Sequence, residues 1–265
     1  MDILIYGYGK MASAMVEGWL RAGLDPRSIT VYNPRPKDVP PGVTFTNAIP
    51  DRRFDRVLLG FKPQMLRDIA PEMQGLADDG SLIISILAGI DLDTLSHAYP
   101  NAGGWLRFMP NLAVALGKSP NLLTGKGLTD GQRDDATRLA EMLGSAHWLA
   151  DQSSFDLASA LAGSGPAFLF RFIDALAAAG GALGLDQRLS DALALEMVDG
   201  AAALAAGSTF SPGELADRVA SPGGMTREGM NVLDQGKALE NLLISTLDAA
   251  AARGSELARM ARGQG

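Results

Sequence analysis

The run Gly7-Tyr8-Gly9-Lys10-Met11, set directly after the apolar segment Asp2-Ile3-Leu4-Ile5-Tyr6, constrains this chain more than any other feature. A short apolar run, two glycines and then a helical pattern over residues 10–22 read as strand, tight turn and helix. Glycine permits the turn and lets backbone amides approach a pyrophosphate at the helix N-terminus, where the dipole favours negative charge. The pattern continues as Gly7-x-Gly9-x-Met11-x-x-Ala14-x-x-x-Gly18, with Ala12 where a third glycine is usual. A glycine pair also marks ordinary turns. Its place at the first strand–helix junction of an alternating chain favours a dinucleotide site.

The alternation runs through the first half. Gly23 suits the end of the first helix, residues 28–33 read as a second strand, and the proline-rich stretch 34–41 breaks the chain. Further strands are expected at 56–61, 81–87 and 105–109, with a helix over 64–76. Near-continuous apolar strands alternating with helices predict an α/β domain, a parallel sheet covered on both faces. After about residue 151 the chain is dominated by alanine, leucine and glycine, in helical runs at 165–183, 189–206 and 237–261. Leu169, Phe172, Ile173, Leu176 and Leu183 keep roughly helical spacing, but the intervening positions are mostly alanine. Helices apolar or small nearly all round need more cover than so small a domain supplies, which implies a second copy of the chain. The expectation is two domains, 1–150 sheet-based and 151–265 all-helical.

Composition removes several functions. A net charge of -7 and a pI near 4.9 argue against nucleic-acid or membrane-surface partners. With no cysteine there are no disulfides, thiolate metal sites or cysteine nucleophile, and two histidines far apart, His97 and His147, make no metal site. The chain opens on a strand without a basic-then-apolar leader, and its most apolar stretch carries Arg171 and Asp174. A soluble cytoplasmic protein is expected.

The end of the second strand selects the cofactor. NAD enzymes commonly place a carboxylate there for the ribose 2′-hydroxyl. Here the residues are Tyr32-Asn33-Pro34-Arg35, then Lys37, with no carboxylate before Asp38. Asn33 can donate to a phosphate and Arg35 can pair with one through its planar fork, so NADPH is expected over NADH. A solvated basic loop is the plainer alternative. Phe61-Lys62-Pro63, Ala88-Gly89 and Met109-Pro110-Asn111 each follow an expected strand, where open α/β sheets bind ligands.

The second half adds Leu161-Ala162-Gly163-Ser164-Gly165-Pro166-Ala167 and Ser221-Pro222-Gly223-Gly224-Met225-Thr226, with Gly229 beyond. With the N-terminal glycines, Lys62-Pro63, Ala88-Gly89 and Met109-Pro110-Asn111, the chain resembles the pyrroline-5-carboxylate reductase family over nearly its whole length. The Ser-Pro-Gly-Gly-x-Thr block is the most specific element. The resemblance implies an N-terminal Rossmann domain, a C-terminal helical domain interlocked with a partner subunit, and homodimers that often assemble into decamers. It implies reduction of 1-pyrroline-5-carboxylate to L-proline, the last step of proline biosynthesis, with NADPH or NADH. By the same resemblance, Gly7, Gly9, Lys10 and Met11 hold the pyrophosphate, and Asn33 and Arg35 the 2′-phosphate. Lys62, Pro63, Ala88 and Asn111 lie along the nucleotide. Ser221, Gly223, Gly224 and Met225 form the substrate carboxylate site, and Thr226 meets the imine nitrogen as the catalytic residue, although it would equally suit an N-cap.

Two glycines before a helix expose amides for a carboxylate, and reduction of a carbon–nitrogen double bond needs no metal or protein nucleophile. The chain departs from the family at Phe61, Leu112, Phe168 and Ala216, where an aliphatic residue, Thr, Tyr and Lys are usual. Two alternatives stand beside this reading: a related cyclic imine reductase, and a non-catalytic NADPH-binding regulatory protein. A catalytic lysine of the hydroxyacid dehydrogenase type is missing, since residues 151–206 contain no lysine.

Overall fold

The computed structural model describes residues 2–261. Its chain divides into two compact units: one runs up to Ser164 and regains the segment from Ala249 onward, and the other is Gly165–Asp248. The sequence reading drew its boundary about fifteen residues earlier and did not foresee the return of the C-terminal segment to the first unit.

The first unit is a single eight-stranded sheet in the order β3-β2-β1-β4-β5-β6-β7-β8. Its strands are β1 (Ile3–Tyr6), β2 (Ile29–Tyr32), β3 (Thr44–Thr46), β4 (Arg56–Leu59), β5 (Leu82–Ser85), β6 (Gly104–Met109), β7 (Ser119–Lys126) and β8 (Gly144–Trp148). All neighbours are parallel except β6 and β7. Strand order reverses beside β1, so β1 and β4 diverge into their connections at one crevice, the switch point where such sheets take ligands.

Alternation sets the two faces. Ile3 and Ile5 point into a cluster with Met15, Val16 and Trp19 of α1 (Lys10–Arg21) and Leu139 of α4 (Asp130–Glu141). Leu4 and Tyr6 point the other way, toward Leu66 of α2 (Leu66–Ile69) and Leu95 of α3 (Leu92–Ala98). All four β1 residues are at most 3% exposed, as expected of a central parallel strand. The helix expected over 64–76 is broken: 3-10 turns flank the short α2, because Pro71 removes an amide and clashes with the preceding turn. The sequence reading also lacked β7, α4 and β8. α4 begins with a full capping box, Thr129 and Gln132 bonding each other's backbone amides.

The chain leaves the sheet through α5 (Gln152–Ala158) and one π-helical turn, Ser159–Gly163. The second unit contains α6 (Gly165–Ala182), α7 (Gln187–Ala206), α8 (Pro212–Val219), α9 (Met225–Asp234) and the first part of α10 (Ala238–Ala261), up to Asp248. α6 and α7 meet through small residues. A Cβ on Gly180 would lie 2.8 Å from Ser190 Oγ, and Ala177 and Ala194 are the buried apolar residues of the pair. Their large side chains stay outside: Phe170 is 59% and Leu195 59% exposed. The continuous helix Gln152–Ala182 has the length and hydropathy of a membrane span, yet Arg171 and Asp174 pair on its surface at 2.9 Å.

Candidate active site

At the end of β1, Gly7 has φ +93°, and a Cβ there would lie 2.9 Å from the carbonyl carbon of Gly60. A Cβ at Gly60 would in turn lie 2.3 Å from Gly7 O. The two backbones touch across the switch point, and each glycine is required by the other. Gly60 was not singled out from sequence, although its place at the end of a strand and before Lys62-Pro63 was a legible signal.

Gly9 is the N-cap of α1, extended at φ -84° and ψ 179°, and supplies no side-chain cap. Ser13 N is the first amide to reach back to Gly9 O, so the amides of Lys10, Met11 and Ala12 have no partner within the helix. The Met11 side chain packs against the core while Lys10 stays exposed. Asn33 ties the turn to the second strand: its Oδ1 accepts from Tyr8 N at 3.2 Å and its Nδ2 donates to Arg35 O at 2.7 Å. Thus Asn33 positions the glycine turn and the Arg35 loop together. Arg35 is exposed and has no ion pair among the described residues. A cleft of about 460 Å³ opens beside the turn, lined by Tyr8, Gly9, Lys10, Ser13 and Lys37 among others. Open amides and two lysines are donors that suit a dinucleotide phosphate, and Glu17 and Asp38 also line the cleft. Burial pushes the Tyr8 phenol up, so it stays neutral there.

Two more expected residues come together at the other loops. Lys62 precedes a 3-10 turn begun by Pro63. Pro63 and the exposed Ala88 line one cleft of about 300 Å³ with Ile90 and with Leu257 and Met260 of the C-terminal segment. Gly89, at φ +74°, faces that segment closely, since a Cβ would lie 2.9 Å from Leu257 Cβ. Asn111 is turned inward and is 6% exposed. Its Oδ1 accepts from Ala113 N at 2.8 Å, and its Nδ2 donates to Ala162 O of the π-helical turn at 2.9 Å. One amide hydrogen and one carbonyl lone pair remain for other contacts. Leu112 is 61% exposed.

In the second unit, the segment from Ser221 to Thr226 is a surface turn leading into α9. Gly223 has φ +70°, and Gly224 N donates to Ser221 O at 3.0 Å. Gly224 is the N-cap, with no side-chain cap. Thr226 therefore lies one residue inside the helix, and the sequence alternative that made it the N-cap is corrected: glycine takes that place. The amides of Met225, Thr226 and Arg227 precede the first helical acceptor bond, from Glu228 N to Gly224 O at 3.2 Å. Arg227, not foreseen from sequence, anchors this turn by donating to Asp217 Oδ1 of α8 at 2.8 Å and to Ala220 O at 3.4 Å.

α1 and α9 contrast with five other helices. α3, α4, α5, α7 and α8 each have an Asp, Thr or Ser side chain accepting from the first turn. α1 and α9 begin on bare glycine and present open amides to an anion. The sheet topology, glycine turn and all-helical second half define an oxidoreductase of the Rossmann type that binds NADP(H).

Residues 152–257 match the pyrroline-5-carboxylate reductase dimerisation family, and residues 2–89 match the coenzyme F420-dependent NADP oxidoreductase family. A pyrroline-5-carboxylate reductase of Pisum sativum is 35% identical, the match covering 95% of this chain and 94% of the relative. The solved structure of one from Coxiella burnetii superposes with a TM-score of 0.87 at 29% identity, over 97% of this chain and 98% of that one. The Plasmodium falciparum pyrroline carboxylate reductase, solved with NADP bound, shares the fold with a TM-score of 0.81 at 22% identity, over 97% and 98%. The chain belongs to the pyrroline-5-carboxylate reductase family.

Proposed function

We propose that this protein reduces 1-pyrroline-5-carboxylate to L-proline with NADPH. The observation that carries the reading is the bare glycine start of α9 at Gly223-Gly224-Met225-Thr226: open amides for one carboxylate, with a hydroxyl one residue on. The glycine start of α1 provides the matching site for the cofactor phosphates. Relatives named for this activity, alike over nearly the whole chain, support the same substrate.

The nicotinamide, when bound, supplies a hydride to the imine carbon. The chain's own residues bind, orient and polarise. The turn Ser221–Met225, with the amides around Gly223, Gly224 and Met225, receives the substrate carboxylate at the positive end of α9. The Thr226 hydroxyl donates a hydrogen bond to the ring nitrogen as electron density moves there, and solvent supplies the proton that completes the amine. Gly7, Gly9, Lys10 and Met11 cradle the pyrophosphate, Asn33 and Arg35 take the 2′-phosphate, and Lys62, Pro63, Ala88 and Asn111 line the nucleotide. NADPH is preferred to NADH because the end of β2 offers Asn33 and Arg35 as donors to a 2′-phosphate and has no carboxylate before Asp38 for the ribose hydroxyl. The exposed apolar faces of α6, α7 and α10 are covered by a second subunit, in a cytoplasmic homodimer that assembles further, up to a decamer. By role, residues 1–150 serve the nucleotide and 151–265 substrate and dimerisation, a division distinct from that of the two compact units.

Oxidation of NADPH should be followed with 1-pyrroline-5-carboxylate and with its six-membered homologue. Turnover with the five-membered ring is expected. Preference for the larger ring would identify a different cyclic imine reductase, and no turnover with either would leave a protein that only binds NADPH.

A further inference from the structure

Pro166 stands inside a run of helix that extends over Gln152–Ala182. Within a helix, proline withholds an amide and presses its ring on the carbonyl four residues back. That carbonyl is Ala162 O. The π-helical turn Ser159–Gly163 falls at this place, with Ser164 N donating five residues back to Ser159 O at 3.2 Å, and a wider turn gives the ring room.

The donor that an α-helix would give Ala162 O, the amide of residue 166, therefore does not exist. A side chain from 51 residues away supplies one instead: Asn111 Nδ2 donates to Ala162 O at 2.9 Å. The same turn lies beside the end of β6, where a Cβ on Gly163 would meet Met109 Cγ at 3.8 Å.

Asn111 is held at three points. Its backbone N donates to Ser119 Oγ at 3.0 Å, its Oδ1 accepts from Ala113 N at 2.8 Å, and its Nδ2 reaches Ala162 O. An amide N–H must meet the carboxamide oxygen, and a carbonyl must meet its nitrogen, so both side-chain contacts select the same orientation. The remaining Nδ2 hydrogen and Oδ1 lone pair are thereby fixed in direction, at the carboxyl end of β6. A proline placed only to start α6 would set its own φ and make no demand on Asn111.

We propose that Pro166 is a positioning residue of the cofactor site: by withholding an amide it leaves Ala162 O to Asn111, and so orients the Asn111 carboxamide for the nucleotide. The assignment rests on the reading of Asn111 as a nucleotide contact. Pro166 acts only through Asn111.

The test is a double-mutant cycle read in both cofactor affinity and stability. Pro166→Ala gives residue 166 an amide that competes with Asn111 Nδ2 for Ala162 O. The NADPH Kd, measured by fluorescence titration, should rise about three- to tenfold, the worth of one oriented hydrogen bond, with little change in Tm. Asn111→Ala should weaken NADPH at least as much and lower Tm, because Ala162 O loses its donor. In the double variant the new amide should recover part of that Tm, while Kd stays at the Asn111→Ala value. A Kd left unchanged by Pro166→Ala would overturn the proposal. Effects on Kd that multiply in the double variant would overturn it too, since Pro166 would then act by another route. If Asn111→Ala does not fold, Pro166→Ala decides alone. A parent that does not bind NADPH would remove the proposed function, and parent-like binding by Asn111→Ala would remove the reading of Asn111, each taking this assignment with it. Weak binding by Asn111→Ala beside parent-like binding by Pro166→Ala would remove this assignment alone.

Discussion

The two halves of this chain use similar apolar content for opposite purposes. In the sheet unit Ile3, Leu4, Ile5, Val57, Leu58 and Leu59 are wholly buried, and both faces of the sheet are covered by the chain's own helices. In the helical unit α6 and α7 touch through Ala177, Gly180, Ser190 and Ala194, while phenylalanines and leucines face outward. A sheet face is broad and one covering layer completes it. A pair of alanine-lined helices brings backbones close but leaves most of its large side chains without a layer above them. The first unit has a finished core, and the second is one side of a larger core, which agrees with its match to a dimerisation domain.

The largest effect should come from charging that open face. Leu195 and Leu112 are similarly exposed, 59% and 61%, but lie in different units. Leu195→Asp should abolish the dimer and activity, while Leu112→Asp leaves the oligomer intact, as light scattering and sedimentation would read. A dissociated parent, or an unaffected Leu195→Asp dimer, would break the comparison.

Next is Thr226. Because Gly224 and not Thr226 caps α9, Thr226→Val removes a donor without removing a cap. If the hydroxyl acts chiefly in the transition state, kcat should fall about 10- to 1000-fold with NADPH binding nearly constant. A raised KM with kcat intact would make it a substrate-binding group only.

Arg35→Ala tests the other unit. Loss of a charge-assisted contact of about 1.5–3 kcal/mol should weaken NADPH roughly ten- to a hundredfold, with NADH little changed. Steady-state kinetics with both cofactors would refute the assignment if the NADPH constants stayed put.

The smallest effect is on stability. Gly7→Ala puts a Cβ 2.9 Å from Gly60 C at a left-handed φ, and should cost about 1–3 kcal/mol in urea unfolding. The equivalent test in the helical unit is Gly223→Ala, left-handed at φ +70° but with open space around it, which should cost less. Equal losses at both sites would mean that backbone strain alone, and not the contact with Gly60, is what Gly7 relieves.

Most of the cofactor turn was legible because it is local. Gly7, Gly9 and the helix over residues 10–22 are written within one stretch of chain, and the structure places α1 at Lys10–Arg21. The three long helices were legible for the same reason, their ends moving by two residues at most. β7 was not. Its sequence begins Ser119-Pro120-Asn121 and lacks a strand's alternation, and it is a strand because β6 and β8 supply its partners. Asn121 is buried there only because Ser119, Ala140 and Ser145 offer carbonyls to its amide. The antiparallel turn of β7 against β6 was likewise outside what periodicity reports.

By itself, then, the sequence determined the parts whose physics is short-ranged: an uncapped glycine at the start of α1, another glycine pair before α9, and helices too apolar to stand alone. Only the tertiary structure decided which groups those parts meet. Gly60 is needed because Gly7 lies against it, Asn33 joins Tyr8 to Arg35, and Arg107 finds Asp156 from 49 residues away. Backbone preference acts over a few residues and leaves its mark in composition and spacing. Contact between distant segments depends on how the sheet orders its strands, and no single stretch of chain encodes that order.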